Sequence, residues 1–281
     1  MEIHVAKSAG FCFGVERAVK TVYEWAEKAE GPLYTDGPII HNETVVNDLI
    51  ARGIRPLAPG EIPPAGSTVI LRSHGVTKDR EEELKAAGLT VVDATCPFVA
   101  RIHRLAEEES AKGRQIVIIG DATHPEVEGI LSHCPNGAAV IKEPEEAEAL
   151  TFTADAKISV LAQTTSNRNK FDKIVEILEK TSYDVHVLNT ICNATQVRQQ
   201  EAEQIARYAD GMIVVGGRNS SNSRKLFEIC REVCRNTIFV GSVSELTAEW
   251  FSGINILGIT AGASTPQIII QEVQTYVRTE L

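Results

Sequence analysis

Seven short, nearly continuous, β-branched apolar runs constrain what this 281-residue chain folds into. They are IHVA (3–6), TVILRS (68–73), QIVIIG (115–120), ISVLAQ (158–163), GMIVVGG (211–217), NTIFVGS (236–242) and INILGIT (254–260). A strand with one wet face alternates apolar and polar side chains. Runs that hardly alternate need cover on both faces, the condition of parallel strands flanked by helices. Helical stripes fall between them. Val15, Ala18, Val19, Val22 and Ala26 share one face; Phe98, Ile102 and Leu105 follow Pro97; Phe171, Ile174, Val175 and Leu178 form a third. The last helix is predicted to start at Pro266, capped by Thr265 or Ser264, with Ile269, Val273 and Tyr276 along its face. This alternation of strand and helix makes the fold class α/β.

Composition removes several function classes. Hydrophobic residues make up 43% of the chain, enough for a well-buried core. No charge-free stretch is long enough to cross a bilayer, and MEIHVAKSAGFCF lacks the apolar centre of a signal peptide. A cytoplasmic protein is therefore expected. Lys and Arg number 28 against 38 Asp and Glu, a net charge of −10. No basic block is present for a nucleic-acid backbone to follow. A small anion still has a place, provided backbone N–H groups, histidines and hydroxyls build it locally against the global field. GGRNSSNS (216–223) has neither the lysine of a Walker loop nor the glycine spacing of a dinucleotide fingerprint, so no nucleotide cofactor is expected.

The six cysteines are too sparse for a disulfide-stapled domain. Cys12, Cys96 and Cys192 each fall at or near a strand end, beside turn or cap residues. Three thiolates brought to one point are good ligands for an iron–sulfur cluster with one iron left open. For Cys12 alone, core packing competes evenly with ligation. Cys96 precedes Pro97, a natural first helical residue, and a helix N-terminus favours a thiolate. Cys230 and Cys234 share a helical face and read as core filling; Cys134 reads as non-catalytic. The spacing of the three cysteines, 84 and then 96 residues with 89 remaining, suggests three small α/β units with mainly parallel sheets around a central site. Their expected bounds are 1–95, 96–191 and 192–281.

Ligands of parallel α/β proteins bind outside the carboxyl ends of strands. His74 and His124 directly follow strand runs, and His41 ends an apolar run, with Asn42 as a helix cap. QTTSN (163–167), RNSSNS (218–223) and AGAST (261–265) place hydroxyls where helices begin, which makes an anion site without arginine. Ordinary N-capping is the competing account. His4, His103, His133 and His186 look less functional. Glu126 has two readings: T-H-P-E (123–126) is a capping box with Thr123 as cap, and a carboxylate beside His124 also passes protons into a pocket.

Taken in order, AGFCFGV around Cys12, HN at His41 and Asn42, SHG around His74 and DATCP around Cys96 form one set. GDATHPE around His124 and Glu126, QTTS at Thr164 and Thr165, IC at Cys192, NSSNS around Ser220 and AGAS ending at Ser264 continue it. This set resembles the 4-hydroxy-3-methylbut-2-enyl diphosphate reductase family over essentially the full length. The resemblance implies three α/β units around a cluster-containing cavity. It implies that Cys12, Cys96 and Cys192 ligate a 4Fe–4S cluster whose fourth iron has no protein ligand and meets the substrate hydroxyl. His41, His74, His124, Thr164, Ser220, Ser221, Asn222 and Ser264 would bind the substrate, and Glu126, with His124 and Thr164, would deliver protons. The implied reaction makes isopentenyl and dimethylallyl diphosphate with electrons from a ferredoxin or flavodoxin. NATQVRQQ, after Cys192, is expected to vary without loss of the ligand. On the residues alone, a cluster-dependent hydro-lyase and a metal-responsive binding protein stay open.

Overall fold

The computed structural model describes residues 1–153 and 155–279. Strands and helices alternate from the start: β1 (Glu2–Val5), α1 (Phe13–Lys28), β2 (Leu33–Asp36), α2 (Glu43–Ala51), β3 (Arg55–Pro56), β4 (Thr68–Leu71), α3 (Lys78–Ala86) and β5 (Thr90–Asp93). Next come α4 (Pro97–Ala111), β6 (Gln115–Ile119), α5 (Pro125–Ser132), β7 (Ala138–Ile141), α6 (Pro144–Glu148), β8 (Lys157–Ala162), α7 (Arg168–Glu179) and β9 (Asp184–Val187). The chain continues through α8 (Asn193–Ala206), β10 (Gly211–Val215), α9 (Ser221–Val233), β11 (Thr237–Val240), β12 (Ile256–Ala261) and α10 (Gln267–Thr279).

All seven apolar runs are strands. They sit in three four-stranded sheets, ordered β3-β2-β4-β5, β7-β6-β8-β9 and β11-β10-β12-β1, and every pairing is parallel. The α/β expectation of three similar parallel units therefore holds. Within the first two sheets the chain visits second, first, third, fourth place. The last sheet repeats that order with β10, β11 and β12 as its first three strands, and β1 fills the fourth place. The N-terminal strand thus completes a sheet whose other strands begin more than two hundred residues later.

The continuity of the central strands has the anticipated cause. Ile116 and Ile118 of β6 face Ile102, Ala106, Val127 and Ile130, while Val117 and Ile119 face the other way, toward Phe171, Ile174 and Leu178. In the sheet containing β1, Met212 and Val214 pack with Ala202, Leu226 and Cys230; Ile213 and Val215 pack with Ile269, Ile270 and Val273. Each Val, Leu, Ile, Met or Phe among them contributes about 1.5–3 kcal/mol by leaving water. Helix starts carry their own signals. Thr77, Asn167 and Ser220 accept backbone N–H groups at the starts of α3, α7 and α9, and Pro97 and Pro125 open α4 and α5.

The described chain forms two compact units. One comprises residues 1–16, 40–48 and 193 onward, and holds the sheet containing β1. The other comprises residues 17–39 and 49–192, and holds the remaining two sheets.

Candidate active site

Each sheet presents the same pattern at its carboxyl end. The fourth-place strands are β5, β9 and β1, and the next cysteine after each is Cys96, Cys192 and Cys12. Each of these cysteines is the residue immediately before a helix: α4, α8 and α1. The two central strands of each sheet, where chain order reverses, lead into the histidines and hydroxyls. His74 follows β4, His124 follows β6, Thr164 follows β8, Ser220 follows β10 and Ser264 follows β12. Such reversal points are where open parallel sheets leave a crevice for ligands.

In the larger unit, the 73–75 turn hands directly to a cysteine: the Cys96 amide donates to Ser73 O at 2.9 Å. Gly75 has φ +75°, and a Cβ there would lie 2.9 Å from Cε1 of His103. His103 is buried, which pushes its pKa down to about 4, and it stacks on His133 with centroids 4.3 Å apart. Gly75→Ala therefore meets both a left-handed backbone and a ring. It is expected to cost about 1–3 kcal/mol, read as a lowered melting temperature. The neighbouring His74 ring meets the His124 ring edge-on, centroids 5.6 Å apart.

His124, not Thr123, caps α5. Pro125 is the first helical residue, so the cap falls one position later than the sequence reading placed it. His124 Nδ1 accepts the Glu126 amide at 3.1 Å, which places a neutral ring's proton on Nε2. Thr123 instead donates its hydroxyl to Asp121, at 2.8 Å. The capping-box account of Glu126 is thereby removed. Its carboxylate, on a residue only 2% exposed, accepts the Thr164 amide at 2.5 Å and the Thr164 hydroxyl at 2.7 Å. Thr164 O in turn accepts the Cys192 amide at 3.0 Å. The Glu126 carboxylate is thus joined through one threonine to a cysteine-bearing turn.

Arg17, which the sequence did not single out, holds the other cysteine turn of this unit. Its guanidinium donates to Thr95 O at 2.8 Å, one residue before Cys96. Nothing in the helical pattern of α1 marks this arginine, because its target is brought near only by folding.

The smaller unit gathers the hydroxyls. Ser220 caps α9, and the Ser264 hydroxyl lies 3.3 Å from both Ser220 Oγ and His41 O, its single proton available to either. Gly217 permits this approach, since a Cβ there would lie 2.5 Å from His41 O. Asn42 caps α2 as expected, its Oδ1 accepting the Val45 amide at 3.2 Å. Ser221 and Asn222 are the first two residues of α9. Asn222 is 4% exposed, yet neither Nδ2 nor Oδ1 has a hydrogen-bond partner among the described residues. A buried amide left so costs about 1–3 kcal/mol per unpaired group. Beside two serine hydroxyls and a helix N-terminus, it is the kind of donor set an anion completes.

Among the described residues, no group of three or more His, Cys, Asp or Glu side chains is assembled to hold a metal ion. The cysteines nonetheless divide into two kinds. Cys134, Cys230 and Cys234 are buried, with thiols directed at backbone carbonyls. Burial pushes the thiol of Cys134 up to about 11 and that of Cys230 up to about 12, so both resist forming thiolates. Cys12, Cys96 and Cys192 are only partly buried and open onto helix N-termini. By chemistry and exposure these three fit thiolate ligation of iron, and the other three do not.

A family model described as LytB protein matches residues 3–278. This chain belongs to the LytB family. Among its LytB relatives, a 4-hydroxy-3-methylbut-2-enyl diphosphate reductase from Caldanaerobacter subterraneus subsp. tengcongensis is 43% identical over 276 residues, 97% of this chain and 95% of the relative. One of the same name from Aquifex aeolicus is 42% identical over 282 residues, 99% of this chain and 96% of the relative. The solved E-1-hydroxy-2-methyl-but-2-enyl-4-diphosphate reductase of Plasmodium falciparum aligns with a TM-score of 0.91 at 29% identity, over 99% of this chain and 87% of that one. A solved (E)-4-hydroxy-3-methyl-but-2-enyl diphosphate reductase, described as the terminal enzyme of the non-mevalonate pathway, aligns over the whole of both chains at 41% identity with a TM-score of 0.69.

Proposed function

We propose that this LytB-family chain is an iron–sulfur oxidoreductase that removes the hydroxyl of 4-hydroxy-3-methylbut-2-enyl diphosphate. Its products are isopentenyl and dimethylallyl diphosphate. The observation that carries the reading is full-length likeness to reductases of that substrate. The recurrence of one cysteine after the fourth-place strand of every sheet supports it.

The reaction consumes two electrons and two protons, and releases the hydroxyl as water. Cys12, Cys96 and Cys192 would hold a 4Fe–4S cluster with one iron free of protein ligands. Such a cluster, when bound, supplies the electrons one at a time and a Lewis-acidic iron. The chain's own residues supply the rest. Ser220, Ser221, Asn222, Ser264 and His41 would bind the diphosphate, an anchor remote from the bond that breaks, whose binding energy orients the reacting end. His74 and His124 present ring nitrogens as further donors. Glu126, buried and held by Thr164, would store and release the proton.

No helix among the described residues is long and apolar enough to cross a membrane. We assign the protein to the cytoplasm, with a ferredoxin- or flavodoxin-type protein as electron donor. An anaerobic product assay tests the reading. With a reduced viologen, the substrate is expected to yield both alkenyl diphosphates, and without reductant neither. Turnover without reductant would point to a hydro-lyase, and no turnover in either case to a metal-binding protein that is not an enzyme.

A further inference from the structure

We propose that Arg198 and Glu201 of α8 are positioning residues for Cys12, clamping the 7–10 loop that delivers its thiol. The functional meaning of the clamp rests on Cys12 being a cluster ligand; the clamp itself rests on geometry.

After β1 the chain keeps one more ladder contact, from the Ala6 amide to Ile259 O at 2.8 Å, and then leaves the sheet. Its polar groups next need other partners, because a loop without them stays solvated and mobile. Glu201 provides acceptors. Its two oxygens take the Lys7 amide at 2.8 Å, the Ser8 amide at 2.8 Å and the Ser8 hydroxyl at 2.5 Å. Burial by itself would raise the Glu201 carboxyl, but these donors outweigh it and hold its pKa below the ordinary value. Arg198 provides donors, to Ser8 O at 2.5 Å and Gly10 O at 2.7 Å. The two residues stand three apart on α8 and so share a face. Arg198 is only 3% exposed, and a guanidinium is buried that deeply where carbonyl oxygens surround it.

From the other side, Gly10 lies against α10. Its φ is +108°, and a Cβ there would stand 3.2 Å from Gln267 Oε1 and 3.4 Å from Ile270 Cδ1. The loop is thus held between α8 and α10, two residues before Cys12, whose own amide donates to Ala263 O at 3.2 Å. The 193–200 stretch is therefore not free to vary throughout: Arg198 within it fixes the approach to a proposed ligand.

The six cysteines give the test its internal controls. Full-length protein is stripped of iron anaerobically, treated with iodoacetamide and mapped by peptide mass spectrometry. In Arg198→Met and Glu201→Ala the alkylation rate of Cys12 is expected to rise about tenfold, the loss of charge-assisted bonds shifting local opening by that factor. Cys96 and Cys192 keep their rates, and Cys134, Cys230 and Cys234 stay protected. Glu201→Gln, which retains an acceptor oxygen, gives a smaller rise and keeps the test valid if either stronger variant folds poorly. An unchanged Cys12 rate overturns the proposal, as does a rise shared with the buried cysteines, since that would report general loosening. Iron content of Cys12→Ser decides the ligand reading separately: retained iron overturns that reading and leaves the alkylation result standing.

Discussion

Cys12→Ser, Cys96→Ser and Cys192→Ser are each expected to lose the iron of the proposed cluster and, with it, reductive turnover. A hydroxyl is a hard, weakly acidic ligand where a soft thiolate is needed. Changes in residues that merely support a ligand already cost about 10–100-fold in metal affinity, so losing the ligand is expected to exceed a hundredfold. Iron and sulfide counts on anaerobically purified variants read this directly. Cys134→Ala, Cys230→Ala and Cys234→Ala keep full iron, because those thiols are buried in core contacts. Full iron in any one of the three serine variants removes that cysteine from the ligand set. Lost iron in one of the alanine variants brings that buried cysteine in.

Glu126→Gln is expected to lower turnover by about 10²–10⁴-fold with little change in KM, the range associated with losing a positioned proton donor. The substitution is close to isosteric. One amide oxygen still accepts the Thr164 N–H, and the Thr164 hydroxyl, which both donates and accepts, can turn to receive the new NH₂. The fold therefore survives and the lost property is the exchangeable proton. Steady-state kinetics with a viologen reductant measures it. Near-normal turnover would reduce Glu126 to an anchor for Thr164.

Particular residues show how far the sequence could be read. Strands β1, β4, β6, β8, β10, β11 and β12 were visible because their apolar runs are nearly continuous. Strands β2, β3, β5, β7 and β9 were not. Their segments LYTD, RP, TVVD, AAVI and DVHV are short, and β5, β7 and β9 are largely half-buried. Edge positions with one face in water do not need an unbroken apolar run. The cap of α5 was misplaced by one residue because a Thr three places before a Glu mimics a capping box. Only the observed partners of Thr123 and Glu126 separate mimicry from use.

The amino-acid sequence by itself determined the fold class, the hydroxyl-rich turns and the distinction between cysteines in helical core stripes and cysteines at strand ends. Each is a local matter of periodicity, caps and turn residues, written within a few positions. Tertiary structure alone decided that β1 closes the sheet built from β10, β11 and β12, and so sets Cys12 in the place that Cys96 and Cys192 hold in theirs. It alone joined Glu126 to Thr164, Arg17 to the turn before Cys96, and Arg198 and Glu201 to the turn before Cys12. Those contacts span 38 to 194 positions of chain. Their energy comes from pairing charges and backbone groups that meet only after the sheets form, and no local pattern encodes such a meeting.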